Sequence, residues 1–235
     1  MQTILEEDEE EHQSLYDFEV TSRNPESVDT TIRLLAENYV KVKGFGSNFG
    51  IILGNGFILT TLHTVRMNTI DSLIEIDSDT LFSAPATIHT TWEGSDLALL
   101  KCPKATGKTL LKHWVTNDDI HKLYEGAMIS PNSSRGVDTF NGRFILFPQK
   151  RRLGQYHDER TVSIDFVRSD IVTRAGDCGS AYISTQKDVR GHIFALHACL
   201  QNGRSHGAYI GREDLQDAMQ STAIVTGKQI GRAHV

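Results

Sequence analysis

The chain has 235 residues, 39% of them hydrophobic and 23% charged, proportions that set aside disordered and fibrous classes and allow one sizeable core or two small ones. Its formal net charge of −6 gathers at one end: residues 1–13 hold six acids and no Lys or Arg, whereas Ser14 to Gln220 holds 22 bases against 24 acids. A body so near neutral gives little support to tight, non-specific nucleic-acid binding, which rests on neutralising many phosphates.

No apolar run reaches the roughly 18 residues a membrane span needs, and the N-terminus is acidic where a secretory signal is basic and then apolar. The expectation is a cytoplasmic protein with no membrane partner. Cys102, Cys178 and Cys199 are an odd number of cysteines without paired spacing, which argues against a disulfide framework and for a reducing compartment.

In chain order, the acidic opening LEEDEEEHQ has too few apolar residues to fold and reads as a solvated arm or as part of a neighbouring protein. Between Asn24 and Asn38, NPESVDTTIRLLAEN carries Pro and Ser near its start and Val28, Ile32, Leu34 and Leu35 at roughly helical spacing, which predicts one short helix. From Tyr39 the texture changes to YVKVKG and SNFGIILGNGFILTTLHTV, β-rich runs broken by Gly and by Asn-Gly, the signature of strands joined by tight hairpins. LIEID, ATIHT, DLALLKC, GAMIS, GRFILFP, TVSIDFV, SAYIS, HIFALHAC and HGAYIG continue it. About a dozen strands with little helix between them indicate an all-β barrel or sandwich. No internal repeat is legible, although two barrels of similar size could hide behind diverged sequence, with a seam near residues 116–122. The tail STAIVTGKQIGRAHV does not resemble an element such a fold needs. Its last six residues are what the start of a common sequencing adapter encodes, so the expectation is a library artefact, the alternative being a disordered tail.

Chemistry concentrates in TRAGDCGSAY, residues 173–182, where Cys178 stands between Gly176 and Gly179 ahead of a strand. Glycines there let the backbone turn sharply, so that amides around the thiol can point at a carbonyl oxygen. On that feature alone a small buried cysteine explains the pattern as well. FILTTLHTV is a β-branched strand ending in His63, and GSDLALLK places Asp96 at the head of another. Singly, the first reads equally as a structural histidine and the second as a solvated turn acid.

Together, the order His63, Asp96, Cys178 resembles chymotrypsin-like enzymes. GDCGS resembles the GDSGG motif of serine proteases with Cys in the nucleophile's place, and TRAGDCG resembles the TRAGxCG stretch of picornaviral 3C proteases. FGIILGNGFILTTLHTV is similar to the strands leading to their catalytic histidine, and the likeness spans residues 37–212. It implies a chymotrypsin-like double β-barrel with a short N-terminal helix: an arm over 1–13, a first barrel over 14–116, a second over 117–220, and a downstream segment or artefact over 221–235. It further implies a 3C-like cysteine endopeptidase of picorna-like RNA viruses, acting on polyprotein segments in the host cytoplasm.

A thiol of pKa about 8.5 is only a few per cent thiolate at neutral pH and needs activation. By the resemblance His63 is the base, Asp96 orients it, and the backbone amides of Gly176, Asp177 and Cys178 form the oxyanion hole, the Asp177 side chain having no role. Glu75 is a rival third member, but only twelve residues separate it from His63, too few for the intervening strands. In 3C-like enzymes a histidine and a threonine line the pocket that selects glutamine; His197 and Thr173 match them by position. Ala195 and Leu196 precede His197 where Gly-x-His is usual, and a core histidine is the alternative, with His192 a weaker candidate. Ser180 replaces the motif's second glycine, where a small residue is tolerated.

Cys199 lies two residues beyond His197, which puts both on one face of a strand. No C-x-x-C or H-x-x-x-H spacing supports a metal site from Cys178, Cys199 and His197, and the chemistry calls for no cofactor. If the pocket takes glutamine, Gln13-Ser14 and Gln220-Ser221 are candidate cleavage sites within the chain itself. Gln149 to Arg152 with Arg143 could supply a weak patch for viral RNA, though such a run is more commonly a solvated hairpin. The competing functions are a cellular trypsin-like peptidase with a cysteine nucleophile and an inactive barrel that binds RNA or protein. The oligomeric state is not legible.

Overall fold

The computed structural model describes residues 28–44, 46–66, 72–78, 82–132, 136–151, 162–201 and 203–221. Helix α1 (Asp29–Asn38) forms where apolar spacing predicts a helix, with Leu35 turned fully inward. The Tyr39 amide closes its end on Leu35 O, and the end is also fastened to the barrel: Asn38 Nδ2 donates to the carbonyls of Ile52 and Lys108 at 3.1 and 2.6 Å, and its Oδ1 accepts the Lys108 amide at 3.1 Å.

Six strands follow: β1 (Tyr39–Gly44), β2 (Gly46–Gly54), β3 (Phe57–Thr61), β4 (Ile74–Ser78), β5 (Phe82–Trp92) and β6 (Leu97–Lys101). All pair antiparallel and close into a barrel in the order β1-β2-β3-β6-β5-β4. The β2–β3 hairpin turns at Asn55-Gly56 with φ of 54° and 77°, the left-handed pair that a tight hairpin demands and that Asn-Gly supplies at least cost.

After a connection with 3-10 turns at Leu111–His113 and Ile120–Lys122 come β7 (Glu125–Pro131), β8 (Val137–Arg151), β9 (Val162–Ser169), β10 (Ala181–Ser184), β11 (Ile193–Gln201) and β12 (Arg204–Tyr209). They close in the order β7-β8-β9-β12-β11-β10, the first barrel's order shifted by six. The connection joins the second barrel at Trp114, whose indole donates to the Ile210 carbonyl at 2.6 Å while the Val115 amide donates to Ile193 O at 2.8 Å.

Helix α3 (Arg212–Gln220) is an element that the strand-rich pattern of the sequence does not predict. Leu215 is fully buried, and His89 Nε2 on β5 meets the Ala218 carbonyl at 2.9 Å, so the helix leans back on the first barrel. Between the barrels, the buried Tyr39 hydroxyl donates to Ile129 O and accepts the Ala181 amide. The Phe49 amide donates to the Cys178 carbonyl at 2.9 Å. No described helix is long and apolar enough to cross a membrane.

Candidate active site

His63 sits on the single-turn helix α2 (Leu62–Val65), directly after β3. Asp96 occupies the turn before β6 with φ of 50°, a left-handed conformation a non-glycine residue seldom takes. That conformation aims its backbone and its carboxylate at the same short helix: Asp96 O accepts the Leu62 amide at 2.8 Å, Oδ1 accepts the His63 amide at 2.9 Å, and Oδ2 meets His63 Nδ1 at 2.7 Å. With Nδ1 engaged, the ring presents Nε2 to whatever lies opposite.

Opposite lies Cys178. Burial lowers the His63 pKa, but hydrogen bonds to Asp96 and Cys178 and the charges of both outweigh it and push it up to about 10. In its protonated form the thiol also has a carbonyl acceptor, Ala198 O at 3.2 Å. The sulfur therefore has two partners suited to two states: a carbonyl for S–H and an imidazolium for S⁻. His63, Asp96 and Cys178 are brought together from three segments; Glu75 is not. It stands on β4 in an exposed ion pair with Lys43 across the β1–β4 ladder, at 2.7 Å.

The loop around the thiol turns at Gly176 and Gly179, with φ of 97° and 88°. A Cβ on Gly179 would lie 2.0 Å from the Phe49 carbonyl oxygen, so only glycine fits against the first barrel there. The expectation of three free amides needs correction. The Asp177 amide donates to Arg174 O at 3.2 Å within the turn, whereas those of Gly176 and Cys178 have no partner among the described residues. Two donors remain for an oxyanion.

His197 is 2% exposed, and Tyr182 Oη and Ser205 Oγ each lie 3.0 Å from its Nδ1. Burial, reinforced by the charges of His63 and His206, drives its pKa down to about 3. The ring is neutral; in the tautomer whose Nδ1 accepts from a hydroxyl the proton sits on Nε2, and the His206 backbone also bonds this histidine. Thr173 is 5% exposed, and its hydroxyl has no partner among the described residues, which leaves a hydrogen-bonding group for a ligand to satisfy. His192 is not drawn into the site: burial and Arg212 lower its pKa, and its electrostatic neighbours are Arg212 and Asp119.

One geometric expectation fails. A bulge between His197 and Cys199 breaks the strand's alternation, because an extra residue on one strand shifts every later side chain. His197 turns to Tyr182 and Ser205, while Cys199 lies within electrostatic reach of Asp96 and Cys178; burial, then those charges, push its thiol up to about 12. Ser205 and Ser130 carry no motif, and Tyr182, although it closes the TRAGDCGSAY stretch, is given no role by it. Gln149 to Arg151 fall on β8, but their side chains, like Arg152, lie outside the described residues. So do Gln13-Ser14 and IGRAHV.

No family model matches the chain, and no curated protein does. Among solved structures, the Rv3671c protease in its inactive form matches with a TM-score of 0.61 at 15% identity, over 86% of this chain and 98% of that one. Its active form, from M. tuberculosis, gives 0.62 at 16% identity over 88% and 92%. A serine-to-alanine mutant of it gives 0.57 at 13% identity over 88% and 100%. The fold is thus the chymotrypsin-like double β-barrel.

Proposed function

We propose that this chain is a cysteine endopeptidase of the 3C-like kind, cutting viral polyprotein segments after glutamine and before a small residue. The observation that carries the reading is His63, held by the Asp96 carboxylate at 2.7 Å and raised in pKa by both Asp96 and the Cys178 sulfur.

His63 takes the proton of Cys178, and the thiolate attacks the scissile carbonyl. The oxygen becomes an alkoxide in reach of the Gly176 and Cys178 amides. His63 then gives its proton to the departing amine, leaving a thioester on Cys178. A water molecule, deprotonated by His63, attacks the thioester; its collapse frees the acid and returns the proton to sulfur. Asp96 stabilises the imidazolium and fixes which nitrogen faces the thiol. A neutral His197 that donates from Nε2 suits the carbonyl oxygen of a glutamine side chain, and the unpartnered Thr173 hydroxyl supplies a further hydrogen bond.

Gln220-Ser221 closes helix α3, with the Ser221 amide donating to Asp217 O and Ala218 O at 3.1 and 3.3 Å. As a substrate this bond needs that last turn unwound. The reading includes action in the host cytoplasm and at most weak RNA binding.

A second reading, a cellular trypsin-like peptidase with a cysteine nucleophile, draws on the mycobacterial origin of the structural neighbours. Incubating the protein with a peptide spanning a Gln-Ser bond, beside Cys178→Ala, tests the first. Cleavage after glutamine by the unaltered protein alone is expected. Equal cleavage by both proteins, or by neither, would sink it, and cleavage indifferent to glutamine would favour the second reading.

A further inference from the structure

Thr61 stands at the N-cap of helix α2, where a threonine ordinarily turns its hydroxyl onto a backbone amide of the first turn. Here it makes no such bond. The amides of Leu62 and His63 are already taken, the first by Asp96 O and the second by Asp96 Oδ1, so Asp96 supplies the cap and the threonine hydroxyl is released from it. That hydroxyl lies 2.7 Å from Thr64 Oγ1 and 3.5 Å from His63 Nε2. Thr64 Oγ1 in turn accepts from Asn48 Nδ2 at 2.9 Å. All three side chains are buried, and the proteolytic steps given above make no use of them.

An ionised carboxylate can only accept, so the Asp96 contact keeps a proton on His63 Nδ1 and leaves Nε2 to change with the charge of the ring. In the neutral ring Nε2 is a lone pair: Thr64 donates to Thr61, and Thr61 donates to Nε2. In the imidazolium Nε2 carries a hydrogen: Thr61 accepts it and turns its own hydrogen onto Thr64, whose oxygen has a second lone pair beside the one that Asn48 fills. Three hydrogen bonds link Asn48 to the ring in either arrangement, and only the Thr64 hydrogen is idle in the second. Because Asn48 donates in both, the direction reverses without moving a heavy atom. At 3.5 Å Thr61 stands beyond the usual hydrogen-bond distance, on the flank of a ring whose resting partner is the Cys178 sulfur.

We propose that the Thr61–Thr64 hydroxyl pair, anchored by Asn48, is a reversible second partner for His63 Nε2, accepting from the imidazolium when the sulfur is bonded to substrate and can no longer do so. Thr61, Thr64 and Asn48 are positioning residues; the catalytic consequence rests on the peptidase reading, while the hydroxyl pair itself does not. Once the thiolate has attacked, the imidazolium has lost the charge that faced it and has to stay aligned until the amine departs. A hydroxyl at the second nitrogen holds the ring through that interval.

The test uses the full chain and two readouts. The first needs no substrate: in Cys178→Ala the sulfur is gone, and the Nε2 hydrogen of His63 is followed by proton NMR at a pH where the ring is protonated. Its exchange with water is expected to be at least about tenfold faster when Thr61→Val is added, and within about twofold of Cys178→Ala when Thr61→Ser is added instead. Thr64→Val, which removes the middle hydroxyl, is expected to speed it about threefold and keeps the test decisive even where Thr61→Val does not fold. The second readout is cleavage of a Gln-Ser peptide with Cys178 intact. Thr61→Val is expected to lower kcat about tenfold and Thr64→Val about fivefold, with KM within about twofold of the parent, while Thr61→Ser stays within about threefold in kcat. Serine keeps the hydroxyl and loses the methyl, so a packing role alone would harm Thr61→Ser more than Thr61→Val. That reversed order in kcat would overturn the proposal, as would a kcat for Thr61→Val within about twofold of the parent. So would equal Nε2 exchange with and without the Thr61 hydroxyl, or exchange in Cys178→Ala as fast as in a histidine peptide. If the parent protein cleaves nothing, the proposed function fails while the exchange readout still decides for or against the hydroxyl pair.

Discussion

In the first barrel the strands close over Val40, Val42, Ile52, Ile58, Ile74, Ile76, Ala84, Ile88 and Leu100, an interior of aliphatic side chains. The second has the same strand order but closes over Phe144, Tyr182 and Phe194, whose rings lie 5.2 to 6.1 Å apart. It also buries Ser130, Ser180, Ser205, His197 and His206. An aliphatic interior needs only volume and burial; a polar one is viable only where each hydroxyl and ring nitrogen finds a partner. The first barrel keeps its buried polar groups to one end, where Asn48, Thr61 and Thr64 bond to one another beside His63 and Asp96. The second carries polar chemistry through its wall, from the nucleophile's loop to His197.

The comparison breaks most severely where the barrels meet. Gly179→Ala forces a Cβ to within 2.0 Å of the Phe49 carbonyl at a φ of 88°. The expected loss is about 3 kcal/mol or more, read as a fall of roughly 6–12 °C in melting temperature together with loss of cleavage. A parent-like melt would show that the contact yields easily.

Asp96→Asn tests the first barrel's rim alone. A fall in kcat on the order of a hundredfold or more is expected, with the fold intact. Since the folded-state pKa of His63 is raised from 6.5 to about 10, its contribution to stability is complete below the lower value and is lost as pH rises through the upper one. Melting temperatures between these limits should fall more steeply for the parent than for Asp96→Asn. Parallel profiles would mean that the carboxylate does not hold the imidazole's proton.

Tyr182→Phe tests the polar interior of the second barrel. It deletes one hydroxyl from His197 Nδ1 while Ser205 remains. Preference for glutamine over glutamate is expected to drop about tenfold, at a stability cost of about 1 kcal/mol; unchanged selectivity in paired peptide assays would separate Tyr182 from the pocket. The smallest effect belongs to Glu75→Gln, on the outer face of the first barrel. Its exposed pair with Lys43 contributes little, so activity within about twofold and stability within about 0.5 kcal/mol are expected.

Legibility divides along similar lines. Strands of apolar and β-branched residues or with Asn-Gly turns, such as FILTT and the β2–β3 hairpin, announce themselves through local residue type, and so does helix α1. REDLQDAMQ also offers Leu215, Ala218 and Met219 at helical spacing, a signal that so many neighbouring strands obscure. His63, Asp96 and Cys178 are legible because their neighbours form motifs. Ser130, Tyr182 and Ser205 are not: each meets its partner only through strand pairing at a distance, between 8 and 50 residues in sequence. The bulge after His197 is invisible for a related reason, since counting by twos along a strand assumes an unbroken ladder.

The hydrogen bond from Phe49 to the backbone of residue 178 bears on the order of events at the ribosome. The segment bearing the imidazole and its carboxylate emerges first. The sulfur arrives some eighty positions later and is seated only when its carbonyl reaches a strand already made. Until that carbonyl is in place, the three groups of the proposed site belong to separate stretches of chain.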